Sequence, residues 1–242
     1  MLGMLLNQGI LRWNQSGGGN LLKLKFSNSN IFSYKLVEGV QAKKYLMDLS
    51  SVRPKSVIWG GLPDTVSVTA YELEKESVQF ELKNKTSNGL KAGIIVALQP
   101  LLYTLYNLLH SLFVSYKISQ QLGIKTLLFA ISMLISYLIV ISFLNFNKKK
   151  VKDRLGKKRS VQTFVFKPTK RIYDGYFIFI ISLVCYIVYL SINNGSEGAL
   201  LIVNTVLSTL CFAYTNSAIP VAEYYQTQIY LLKNIKSNEE IK

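Results

Sequence analysis

Residues 126–147 read TLLFAISMLISYLIVISFLNFN, and residues 148–160, which follow directly, read KKKVKDRLGKKRS. An α-helix needs about 20 residues to cross the hydrocarbon layer, and the first stretch supplies them without a single charge. Backbone polar groups cannot be left unpaired in lipid, so this stretch is predicted to be helical. Short loops rich in Lys and Arg stay in the cytoplasm, which places the second stretch inside the cell. Together the two stretches indicate an integral membrane protein.

Three further uncharged stretches have a similar length. They are Ala92–Tyr116, Gly175–Ser196 and Ala199–Ala222. Together with the stretch quoted above they predict a mainly α-helical membrane protein with a four-helix transmembrane bundle. The first two helices are expected in residues 92–147 and the last two in residues 172–222.

The positive charge of the chain is concentrated in one place. The net charge is +15, and the densest part of the 28 Lys and Arg residues lies in residues 148–171. Such a basic loop beside a span orients the protein, and it is also suited to contact anionic headgroups of membrane lipids. This distribution does not favour a nucleic-acid partner. With the loop inside the cell, both termini are expected in the cytoplasm, and residues 223–242 form a cytoplasmic tail.

A second type of pattern lies before the first span. Apolar and polar residues alternate in several short segments of residues 20–91, for example Val66–Val68 and Val78–Leu82. This period of two predicts strands with one buried face. Val161–Phe166, in the basic loop, is β-branched and aromatic, and a lone strand there would leave its backbone groups unpaired. We expect it to join the amino-terminal strands in a small cytoplasmic β-sheet subdomain, preceded by a flexible or membrane-surface segment at residues 1–19.

Polar residues within the spans fall on helical faces. Steps of three and four place residues on one side of a helix, and the first and fourth spans contain such series. The candidate partner-binding or bundle-seam residues are Gln99, Tyr103, Asn107, His110, Asn204, Thr205, Thr209 and Ser217. Two interpretations stay open. These side chains either hold the bundle together through hydrogen bonds or recognise a partner within the membrane.

Residues that would carry chemistry are scarce. The four stretches contain no carboxylate, lysine or arginine, which proton and ion pathways usually need. One histidine and two cysteines are too few for a zinc site, and the motifs of hydrolases and metalloproteases do not occur. We therefore predict no catalytic residue, no cofactor and no metal site.

Short segments resemble a known family. They are Tyr34–Val37, Tyr45–Ser51, Trp59 with Leu62 and Pro63, Tyr71–Leu73, and Lys167–Lys170. In this order they are similar to segments of the tandem five-transmembrane proteins (the DUF443 family) of staphylococci and related Gram-positive bacteria. The resemblance implies a multi-pass protein of the bacterial plasma membrane. The family includes immunity proteins that protect a cell from its own type VII secreted, membrane-depolarising toxin, and it supplies no catalytic or ligand-binding residues.

Two functions follow as hypotheses. The first is a non-enzymatic immunity protein that binds a cognate pore-forming or depolarising toxin at the membrane. The second is a membrane scaffold subunit of a transport or secretion assembly, in which the cytoplasmic sheet docks a soluble partner. A homo-oligomer is compatible with both hypotheses.

Overall fold

The computed structural model describes residues 24–39, 43–73, 77–82, 88–155 and 160–237. The segment predicted at residues 1–19 lies outside these residues. Within them, a β-sheet packs against one end of a group of long helices, here called the sheet end. The opposite end of the helices is called the far end.

The strands form one six-stranded antiparallel sheet in which each strand pairs with the next one in the chain. Their bounds are β1 (Lys25–Asn28), β2 (Tyr34–Glu38), β3 (Lys44–Asp48), β4 (Val66–Leu73), β5 (Val161–Pro168) and β6 (Tyr230–Ser237). β4 pairs with β5 from Val66 opposite Phe166 to Tyr71 opposite Val161. The predicted pairing of the 161–166 strand with the amino-terminal region is therefore confirmed.

The sixth strand differs from the sequence prediction, which treats residues 223–242 as a tail. Tyr230, Leu232 and Ile235 of β6 pack toward the core of the sheet, so the spacing is two residues and then three. The register between β5 and β6 shifts at Val165/Phe166. In such a bulge, two residues of one strand face a single residue of the other. The apolar residues of β6 therefore do not recur at every second position of the sequence.

Six α-helices lie in the described residues. They are α1 (Ser77–Phe80), α2 (Asn88–Ser115), α3 (Leu122–Leu155), α4 (Asp174–Ser191), α5 (Glu197–Asn216) and α6 (Val221–Gln226). Short 3₁₀ turns occupy Leu49–Ser51, Lys55–Trp59 and Ile118–Gln120. Among the long helices α5 is central, because it contacts α2, α3 and α4.

The prediction of a four-helix transmembrane bundle is wrong. In the described residues three helices, α3, α4 and α5, are long and apolar enough to cross a membrane, which indicates a membrane protein. α2 has 28 residues but is not among them. Gln99, Asn107 and His110 place polar side chains along residues 99–115, the part of α2 whose side chains the structure describes. The absence of charge is thus not sufficient to predict a fourth span.

The sheet is held between helical elements on both faces. α3 has 34 residues, a length of about 51 Å at 1.5 Å per residue, whereas the hydrocarbon layer is about 30 Å thick. Its last turns run over one face of the sheet, where Val151 packs with Leu46. On the other face, Met47 and Phe164 pack with Ile172, just before α4. Both faces are thus buried, and the sheet is fixed to the helices.

The prediction of a strand at Val78–Leu82 is also wrong. Residues 77–80 form α1, and the backbone of Glu81 forms an isolated β-bridge with Ser29 instead of belonging to a strand. Val78 and Leu82 are 60% and 49% exposed, whereas Phe80 is fully buried. Of the three alternating apolar residues, Phe80 is the one that lies in the core, so the three do not form the buried face of a strand.

Candidate partner-binding face and the polar core of the helices

A hydrogen-bonded polar core joins α3 to α5. Asn204 is fully buried. Its side-chain nitrogen donates to Ser132 Oγ at 2.7 Å, and its Oδ1 accepts from Ser208 Oγ at 3.3 Å. Ser136 Oγ donates to the backbone carbonyl oxygen of Thr205 at 2.9 Å. These bonds satisfy polar groups that would otherwise be costly in an apolar surrounding.

The other candidate residues of the fourth predicted span donate hydrogen bonds from their hydroxyl groups to the backbone of their own helix. Thr205, Thr209 and Ser217 donate to the backbone carbonyl oxygens of Leu201, Thr205 and Ala213 at 2.8, 2.7 and 2.9 Å. Small side chains with satisfied hydroxyl groups let helices approach closely. The positions of Asn204, Thr205, Thr209 and Ser217 thus agree with the bundle-seam interpretation.

A buried ion pair closes the far end. Lys125, near the start of α3, is 1% exposed, and Glu197, the first residue of α5, is fully buried. Lys125 Nζ lies 3.5 Å from Glu197 Oε1. It also donates to the backbone carbonyl oxygens of Leu190 and Ile192 at 3.2 and 2.6 Å and to Asn193 Oδ1 at 3.0 Å. The cation meets the negative end of the α4 dipole and the carboxylate the positive end of the α5 dipole, so both charges are favourably placed.

Sequence reasoning missed this pair, because the uncharged stretches that it took as spans, residues 126–147 and 199–222, leave out Lys125 and Glu197. The helices begin at Leu122 and Glu197, so both charges belong to the helical core. Their pairing depends on how residues 192–196 fold back between α4 and α5, which no local pattern shows. The available signal in the sequence was a lysine directly before the stretch 126–147 and a glutamate between the stretches that end at Ser196 and begin at Ala199.

Within residues 99–115, α2 contacts the other helices near the far end. In residues 99–115 the only buried side chain is Phe113, whose ring packs edge-on against Tyr189 at 6.4 Å between centroids. A Cβ atom added at Gly198 would lie 2.7 Å from Leu109 Cβ. The absence of a side chain at Gly198 therefore allows α2 to approach α5 closely at this point.

The remaining candidates on α2 point away from the chain. Gln99, Tyr103 and Asn107, here called the α2 polar face, are all exposed, and Tyr103 is 67% exposed. Among the described residues, the side-chain amides of Gln99 and Asn107 have no hydrogen-bond partner. His110 is half-buried and stacks loosely on Tyr106. The structure thus places four of the eight candidates in a packed group on or directly after α5, three in the uncovered α2 polar face, and His110 between the two.

A second polar cluster lies at the sheet end. Asp174 Oδ2 accepts hydrogen bonds from the hydroxyl groups of Tyr214 and Tyr224, each at 2.8 Å, and so joins α4, α5 and α6. Burial raises the pKa of Tyr224, which keeps it a donor. Lys55 Nζ donates to Asn216 Oδ1 at 2.9 Å at the end of α5, and burial lowers the pKa of Lys55.

The described residues contain no group of three His, Cys, Asp or Glu side chains arranged to hold a metal ion. Cys185 and Cys211 are free thiols. Comparison of the chain with protein-family models, with curated proteins and with solved structures finds no match. The case for a function therefore depends on the geometry and on the sequence resemblance.

Proposed function

We propose that this chain is an immunity protein of the bacterial plasma membrane that neutralises a secreted, membrane-depolarising toxin by binding it within the bilayer. The α2 polar face is the binding surface. The single observation that carries the proposal is that, among the described residues, two amides and an exposed tyrosine on α2 have no covering partner, on a helix beside three apolar helices.

The α2 polar face is costly to leave uncovered beside the membrane-spanning helices. α2 ends at Ser115, directly before the far-end turn into α3, and Phe113 packs on Tyr189 of α4 there. α2 is not among the helices that can span the membrane, but it packs on α5, which is. Beside such an apolar helix, an amide without a partner costs on the order of several kcal/mol. A partner with hydrogen-bonding groups at the same depth recovers part of this cost. α2 is therefore suited to be completed by another protein.

The far end favours a partner that enters the bilayer. The connections between α2 and α3 and between α4 and α5 are short, so they offer little surface to a protein outside the membrane. A helix that inserts from that side meets α2 directly. A series of Ser, Thr, Asn or Gln residues at steps of three and four on such a helix would match the α2 polar face.

The immunity role is supported by the resemblance to the tandem five-transmembrane proteins. The concentration of Lys and Arg in residues 148–171 supports an orientation with the sheet in the cytoplasm and the far end outside. In this orientation a toxin reaches α2 from the side on which it is secreted. Occupation of one toxin helix by α2 would block the lateral contacts that a pore needs.

Membrane potential in a toxin-sensitive cell tests the proposal. Expression of the chain should prevent depolarisation by a toxin encoded beside its gene, and Asn107→Leu should abolish protection while expression level and folding stay unchanged. Ser142→Leu is the matched control, because Ser142 is an exposed polar residue on α3, and it should protect like the unmodified chain. Depolarisation that the unmodified chain does not reduce, for every neighbouring toxin, would contradict the proposal.

A scaffold role is the second candidate, and β6 favours it. β6 is eight residues long, and within the described residues its outer edge pairs with no strand. An exposed edge can accept a strand from a soluble partner. Affinity purification in mild detergent discriminates between the candidates. A cytoplasmic partner that is lost after a Lys236→Pro substitution would favour the scaffold, and a partner lost after Asn107→Leu would favour immunity.

A further inference from the structure

We propose that the cavity between the sheet and the helix ends binds a phospholipid whose headgroup carries both a phosphate and an ammonium group. The cavity measures about 340 Å³, within the range of about 300–1,000 Å³ that is usual for ligand sites. It lies between the β1–β2 hairpin and the segment that joins α5 to α6. This proposal does not depend on the immunity role.

The lining of the cavity combines apolar surface with two opposite charges. Leu49, Ile219 and Pro220 provide apolar wall, and Lys35 and Glu223 provide a cation and an anion. Lys35 is half-buried and Glu223 is exposed. The arrangement fits an amphipathic ligand with a charged end and an apolar end.

The two charges line the same cavity but do not pair with each other. The ion pairs among the described residues involve neither Lys35 nor Glu223. Lys35 Nζ donates to Asn28 Oδ1, which uses one of the three hydrogens of its ammonium group. A cation and an anion held apart in this way match a ligand whose own charges are separated. Phosphate oxygens would accept from Lys35, and a primary ammonium would donate to Glu223.

The position of the cavity selects a lipid over a soluble zwitterion. Phe32, which also lines the cavity, is 57% exposed, and its ring centroid lies 6.3 Å from that of Phe143 on α3. Phe143 belongs to the apolar part of α3, shortly before the basic residues begin at Lys148. The cavity therefore opens where acyl chains meet headgroups, and an acyl chain can lie along Phe32 and Phe143.

Native mass spectrometry of the full chain in mild detergent tests this site. The probes are dihexanoyl phosphatidylethanolamine, dihexanoyl phosphatidylglycerol and soluble phosphoethanolamine. The ethanolamine lipid should bind about tenfold more tightly than the glycerol lipid, the difference expected for one charge-assisted hydrogen bond. Soluble phosphoethanolamine should compete poorly, because it has no acyl chain. Equal binding of the two lipids, or equal competition by the soluble compound, would overturn the assignment.

Two variants and two controls complete the test. Glu223→Gln should remove the preference for the ethanolamine lipid, and Lys35→Gln should weaken both lipids about tenfold. Lys236→Gln on β6 and Glu38→Gln at the end of β2 change the same charges outside the cavity and should leave binding unchanged. If Lys35→Gln and Glu223→Gln bind both lipids as the two controls do, the cavity is not the site.

Discussion

At the residue scale, the buried pair of Lys125 and Glu197 is the most sensitive feature of the far end. Removing one member of a buried pair leaves an uncompensated charge and costs about 3–5 kcal/mol. Lys125→Met should therefore lower the Tm of the purified protein strongly. The double variant Lys125→Met/Glu197→Gln should recover much of the loss, because no charge is then left buried. A double variant as unstable as the sum of the two single variants would show that the residues are not coupled.

Two asparagines on neighbouring helices should respond differently to the same substitution. Asn204→Leu removes the hydrogen bond that Asn204 donates to Ser132 and the one that it accepts from Ser208, and it should lower stability by about 1–2 kcal/mol. Asn107→Leu removes no hydrogen bond within the described residues and should change stability by less than about 0.5 kcal/mol. Thermal unfolding of both variants in the same detergent measures the difference. Equal destabilisation would mean that Asn107 is a packing residue.

Asp48 should make the stability of the sheet region depend on pH. Burial raises the pKa of its carboxyl group, although hydrogen bonds from Ser50 oppose the shift. The folded chain then holds this proton more tightly than the unfolded chain. The contribution is fully present below the unfolded pKa and is lost as the pH rises through the raised folded pKa. Asp48→Asn should flatten this part of the pH profile of unfolding, whereas Asp64→Asn, at an exposed loop position, should leave it unchanged.

At the scale of elements, β5 should be indispensable and β6 more tolerant. β5 lies between β4 and β6, and proline removes a backbone donor and is accepted mainly on edge strands. Val165→Pro should open the sheet while α3, α4 and α5 stay in the membrane. Lys236→Pro, on the edge strand, should have a smaller effect. Amide hydrogen exchange of β4 gives the readout, and unchanged protection of β4 in Val165→Pro would contradict the central position of β5.

The elements also show which parts of the fold can be predicted from the sequence. The strand at 161–166 was predictable, because β-branched and aromatic residues in a charged loop need partners for their backbone groups. β6 was not, because the bulge beside it breaks the period of two. The polar series on α2 follows from steps of three and four in the sequence, whereas the absence of charge was not sufficient to predict a span there. The pairing of Lys125 with Glu197 and the clustering of Asp174 with two tyrosines depend on contacts between distant segments, which no local pattern encodes.

At the scale of the whole molecule, the charge of residues 148–171 predicts an orientation with the sheet in the cytoplasm. The sheet, the basic loop and α6 all lie at the sheet end, and the α4–α5 turn lies at the far end. Single cysteines at Ser160 and Asn194 report the two sides of the membrane in a chain that lacks Cys185 and Cys211. An impermeant thiol reagent applied to whole cells should label the chain only at position 194. Labelling at position 160 would reverse the orientation and place the sheet outside the cell.

The central claim is that the α2 polar face meets a protein partner within the bilayer, and in-cell photo-crosslinking tests it most directly. A photoreactive amino acid at Tyr103 should give a discrete adduct with a membrane-inserting toxin. The same group at Leu138, an exposed apolar position on α3, should react only with lipid. The Tyr103 adduct should disappear when Asn107→Leu is added. Lipid adducts alone at both positions, in cells that are protected from the toxin, would contradict the account.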